Sequence, residues 1–94
     1  MVDYSKTEEY IFQKALQKWG ADFQFECAIE EMAELIVAIK HFKRDRIGTE
    51  PVIEEVADVL IMMGELRMML GKEEVDQMII KKLTKLNNQI NNIK

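Results

Sequence analysis

Apolar residues Tyr10, Ile11, Ala15, Leu16 and Trp19 recur three to four positions apart, the period of one helix face. Ser5 followed by Glu8 has the form of a capping box, and Gly20 supplies a stop, so a first helix is predicted from about Lys6 to Trp19. No breaker occurs between Asp22 and Arg46, which predicts a long second helix. Gly48, Thr49 and Pro51 then read as a turn, an N-cap and a first-turn proline, opening a third helix near Glu50 that reaches Leu70 before Gly71. From Lys72 a fourth helix carries Ile79, Leu83, Leu86, Ile90 and Ile93 as a narrow coiled-coil-like seam. Short connections make the helices antiparallel neighbours, and no linker divides the chain. The expectation is one all-α domain over residues 1–94, a four-helix bundle.

Composition narrows this in two ways. A core of 94 residues stabilises only weakly by itself, so association with further copies is expected. Cys27 is the only cysteine, which excludes an internal disulfide, and neither a signal-peptide pattern nor a membrane-length apolar run is present; a reducing, cytoplasmic setting with no membrane partner follows. Seventeen acids against 13 bases give a net charge of −4, which argues against a nucleic-acid partner and requires a cation between this chain and any phosphate ligand. With one His and one Cys, zinc is poorly supplied, so a metal would be bound by oxygen. The basic run Lys40 to Arg46 and the polar tail after Leu86 read as solvated surface.

One segment repeats. IEEMAELIV, starting at Ile29, returns as IEEVADVLI, starting at Ile53, identical at four positions. Stepping about 100° per residue from Glu30 puts Glu34 near 40° and Glu31 near 100°, with Met32, Ala33, Leu35, Ile36, Val37 and Ile39 filling the arc from about 140° to 340°. The same steps from Glu54 put Asp58 near 40° and Glu55 near 100°. So wide an apolar arc implies neighbours on most sides and partial burial of the acids beside it. Converging carboxylates in low dielectric repel and raise one another's pKa unless a cation neutralises them. The i, i+3 spacing lets two carboxylates on each helix reach one ion, an all-oxygen set suited to Mg²⁺ or Mn²⁺, which commonly takes substrate phosphates as its remaining ligands. A solvated acidic face is the structural alternative. A di-iron site is disfavoured because His41 lies outside both segments.

These residues resemble the all-α nucleoside triphosphate pyrophosphohydrolases of the MazG-like group, related to dimeric dUTPases and dCTP pyrophosphatases. The signature EExxE, a spacer, then ExxD is similar to Glu30, Glu31 and Glu34 followed, after 20 residues, by Glu55 and Asp58; Trp19, Gly20 and Gln24 also match many members. The resemblance implies hydrolysis of a (deoxy)nucleoside triphosphate to the monophosphate and pyrophosphate, with Mg²⁺ held by Glu31, Glu34, Glu55 and Asp58. Glu31 or Glu34 would take the proton of the attacking water, and Glu30 would hold a water or an outer contact. It places phosphate-binding side chains on the last helix, where Lys82, Lys85 and Asn88 stand, although the arginine common in that region is absent. Trp19, Phe23 and Phe25 are candidates to stack on a base and Gln24 to read its edge. Cys27 reads as a small core residue rather than a nucleophile. For short members the resemblance implies a homotetramer or homodimer. The rival reading is a non-catalytic helical interaction or regulatory protein with a relic acidic site.

Overall fold

The computed structural model describes residues 4–92, with side chains from Thr7 onward. Every regular element among them is helical: α1 (Tyr4–Lys43), α2 (Thr49–Leu70) and α3 (Lys72–Asn91). The chain is therefore all-α, with three elements where the sequence pattern predicts four helices. The difference lies at Gly20. Its φ of 84° and ψ of 166° fall in a region open essentially to glycine alone, so the helical path breaks there, but the chain resumes at once and the two predicted helices become one bent element. Ser5 and Ile93, assigned to a cap and to the seam, lie outside the described side chains.

Local chemistry sets the other ends. α1 stops at Lys43, short of Arg46, because Asp45 adopts a left-handed φ of 58° and the Arg46 amide turns back to the His41 carbonyl at 2.9 Å. Gly48, not Thr49, is the N-cap of α2, and Thr49 is already helical. Gly71, at φ 130°, separates α2 from α3, and its amide caps Arg67 O at 3.1 Å.

The packing departs from one expectation, that the apolar arcs have neighbours on most sides. On α1 the side turned toward the rest of the chain carries Gln24, Ala28 and Ala38, all buried, with Cys27, Glu31 and His41 half-buried; this is the stripe that bears the acids. The apolar arc points outward, with Ile36 58% exposed. α2 repeats the plan: Glu55, Val59 and Met62 face in, while Ile53, Val56 and Leu60 face out, Leu60 at 65% exposure. Small alanines let the helices approach where the carboxylates meet, and the larger aliphatics are left exposed.

α1 packs along α2, whereas α3 joins mainly through its first turns. Arg67 grips Asp76 through Nε and Nη2 at 2.7 and 2.6 Å, and Lys72 Nζ lies 3.3 Å from Glu9 of α1. Beyond this α3 diverges, leaving the predicted seam residues Ile79, Leu83, Leu86 and Ile90 exposed. Tyr10, Ile11 and Trp19 of the first predicted face are exposed as well. The radius of gyration is 16.4 Å, against about 12 Å for a compact chain of this length. The accessible surface is 7921 Å², against about 5,600 Å² expected for a compact monomer of this mass.

Candidate metal centre

Because α1 and α2 run antiparallel across a short turn, the two acid-bearing stripes face each other. Glu31, Glu34 and Glu55 each bring a carboxylate oxygen to within 4.8 Å of the others. Glu31 and Glu55 are half-buried, and in each Oε2 is shielded from solvent with no hydrogen-bond partner. Shielded carboxylate oxygens that lack donors, gathered on neighbouring acids, suit a cation as their partner.

Electrostatics agree with the geometry. Desolvation raises the pKa of Glu31 most, followed by the charges of Glu34, Asp58, Glu55 and Glu30. Glu55 is raised first by desolvation, then by the charges of Glu34 and Asp58, with a carboxyl–carboxyl hydrogen bond to Glu34 and the charge of Glu54 adding to it. Asp58 is exposed and stands outside the tight trio, but its field reaches both raised acids. The donor set is all oxygen and anionic, with two orphan oxygens, and so fits a hard divalent cation such as Mg²⁺ or Mn²⁺.

The cluster borders a cavity of about 480 Å³ between the second half of α1 and the start of α2. Glu30, Glu34, Glu54 and Glu55 supply its acidic wall; Ala33, Val37, Ala38, Ile47 and Pro51 supply apolar surface, and His41 adds an imidazole. Glu30 thus stands beside the trio rather than in it.

Other predicted site residues are not gathered there. Lys82, Lys85 and Asn88 are exposed on the diverging part of α3. Trp19 stacks at a tilt on Phe23, with centroids 5.9 Å apart, under the Lys18 ammonium. Gln24 is buried, and its Nε2 donates across the Gly20 bend to Ala15 O at 3.4 Å, so it ties the two halves of α1 together. Cys27 is a half-buried free thiol.

Two features escaped the sequence reading. His41 lines the cavity, although it sits in a run read as solvated surface. Glu65, only 3% exposed, has an Oε2 without a partner, and burial raises its pKa. Its signal was available: stepping about 100° per residue from Glu54 puts Glu65 near 20°, inside the acid stripe.

Comparison of the chain with protein-family models, with curated proteins and with solved structures gives no match.

Proposed function

We propose that this protein is a divalent-cation-dependent nucleoside triphosphate pyrophosphohydrolase of the MazG-like kind. The observation that carries the reading is the Glu31, Glu34 and Glu55 trio with its two shielded, partnerless oxygens. Such a cluster is unstable without a cation and is placed beside a cavity of ligand size.

Glu31, Glu34, Glu55 and Asp58 are the proposed ligands. When bound, Mg²⁺ supplies charge neutralisation on phosphate oxygens and Lewis acidity toward the attacked phosphorus. The chain's own residues do the rest. The carboxylates fix the cation between α1 and α2. Glu31, or Glu34 beside it, accepts the proton of the water that attacks the α-phosphorus in line. Glu30 orients that water from the cavity wall. The apolar surface around Val37, Ala38 and Ile47 takes the non-phosphate part of the substrate and limits water there.

The outward aliphatic arcs of α1 and α2 and the excess accessible surface support a homodimer or a dimer of dimers. Within one chain Lys82, Lys85 and Asn88 lie away from the carboxylates, so a phosphate role for them requires a neighbouring copy to bring them in. A cytoplasmic setting belongs to the same proposal. Among the described residues no helix is long and apolar enough to cross a membrane.

The test is a Mg²⁺ titration followed by thermal unfolding, with Glu55→Gln in parallel. A one-site cation stabilises the fold by about 2.7 kcal/mol at a hundred times its Kd. The variant should lose most of that gain; equal, weak responses of both proteins would leave the trio a surface feature and favour the non-catalytic reading.

A further inference from the structure

His41 is the chain's only histidine and stands in a run of exposed bases, yet its own side chain is half-buried and lines the cavity between α1 and α2. Stepping about 100° per residue from Glu30 puts Glu34 near 40°, Val37 near 340° and His41 near 20°, so the four share one stripe of α1. Lys40 and Lys43 already set positive charge against the carboxyl end of that helix, an effect that needs no imidazole turned into a cavity. The backbone beneath the ring is held. The His41 carbonyl accepts Arg44 N at 3.2 Å and Arg46 N at 2.9 Å, which fixes the point from which the side chain reaches in.

The lining changes character along its length. Glu30, Glu34, Glu54 and Glu55 form one end, and His41, Ile47 and Pro51, at or beside the turn between the helices, form the other. Seven residues separate Glu34 from His41, roughly 10 Å at helical rise. A nucleotide whose α-phosphate sits at the acids spans that interval with its ribose and meets His41 with the edge of its base. Ala33, Val37 and Ala38 lie between and offer only apolar contact. Ionised carboxylates accept hydrogen bonds without donating and aliphatic side chains do neither, so among the described lining residues His41 alone carries a side-chain donor. Glu30 and Glu54 stand outside the trio and keep the cavity negative, which turns the N–H of the imidazole inward and its lone pair away.

We infer that His41 selects the base of the substrate by donating this N–H to a ring carbonyl, so that bases with an oxo group at the pairing edge are preferred to their amino counterparts. The inference rests on reading the acid trio as the metal centre of a pyrophosphohydrolase. A carbonyl brought to His41 gains a hydrogen bond in a partly desolvated site. An amino group at the same place sets donor against donor, beside apolar walls that provide no acceptor. His41 stands two helical turns from Glu34, so it acts on which base is held and leaves the phosphate chemistry to the acids.

The test measures pyrophosphate release with Mg²⁺ from pairs that differ at that edge: inosine against adenosine 5′-triphosphate, and deoxyuridine against deoxycytidine 5′-triphosphate. The oxo member of each pair should have the higher kcat/KM by about tenfold, mainly through KM. His41→Phe keeps a flat ring without a donor and should bring both ratios close to one with kcat little changed. His41→Asn keeps a donor and should retain a preference for the oxo member; circular dichroism checks that both variants fold. A residue with only a structural role would lower kcat/KM for both members of a pair alike and leave the ratios where they were. Equal kcat/KM within each pair in the parent, preference for the amino member, or a preference that survives His41→Phe overturns the inference and leaves the pyrophosphohydrolase reading standing. Pyrophosphate from none of the four compounds or from any wider panel overturns both.

Discussion

Glu65 offers the cleanest test of the packing. It is a buried acid with a partnerless oxygen, on the inward side of α2 two turns beyond Asp58. Glu65→Met keeps an unbranched side chain of similar length and removes the carboxyl. An unsatisfied buried polar group costs roughly 1–3 kcal/mol, so the variant should be more stable by about that amount at pH 8. For a domain of this size that corresponds to a rise in Tm of at least about 4 °C. The pH dependence gives a second, independent sign. Burial raises the folded pKa of Glu65 above its unfolded value, so its neutral form favours folding below the unfolded pKa, and that advantage is lost as pH rises through the folded pKa. The gain from Glu65→Met should therefore be smallest near pH 4 and grow toward pH 8. Glu31 and Glu55 titrate in the same direction but are common to both proteins and cancel in the difference. Thermal unfolding in EDTA, at one fixed protein concentration, reads this directly. A variant less stable than the parent across the whole range, or a difference that shrinks as pH rises, would refute the placement of Glu65.

Three further outcomes are expected. Glu55→Gln and Asp58→Asn should abolish turnover with helicity intact, and without metal both should unfold at higher temperature than the parent, since each removes a charge that raises its neighbours' pKa; differential scanning calorimetry in EDTA checks the second point. Gly20→Ala should cost about 1–3 kcal/mol, because alanine does not sustain φ 84° with ψ 166°, and it should weaken the Gln24 to Ala15 tie across the bend; denaturant unfolding measures the loss. Ile36→Lys combined with Leu60→Lys should reduce the particle mass in light scattering toward one chain, whereas a parent that is already monomeric would remove the role given to the outward arcs.

Helix positions were legible because their signals are local. Gly20, Gly71 and the Gly48 to Pro51 stretch each act on the backbone within a residue or two, and all three appear as breaks or caps. The acid trio was legible for the same reason: i, i+3 spacing fixes a stripe, and a short turn makes two stripes face each other. The cover of the apolar arc was not. So wide an arc suggests neighbours on most sides, yet Ala28 and Ala38 let the helices close on the acid side and leave Ile36 and Leu60 exposed. Angle on a helix does not record which neighbours reach it. The seam of Ile79, Leu83, Leu86 and Ile90 on α3 is likewise exposed. Glu65 and His41 show themselves only by angle, each near 20° on the helix from Glu54 and Glu30 respectively, and not by their sequence neighbours.

The central claim is that Glu31, Glu34, Glu55 and Asp58 assemble a cation site for cleavage of a nucleotide between its α- and β-phosphates. Pyrophosphate release across a panel of canonical and damaged nucleoside triphosphates, with Mg²⁺ and with EDTA, tests it most directly. The account predicts pyrophosphate and the monophosphate from at least one member, dependent on Mg²⁺ and lost in Glu55→Gln. No pyrophosphate from any member at any Mg²⁺ concentration, or release that persists in EDTA and in Glu55→Gln, would contradict it.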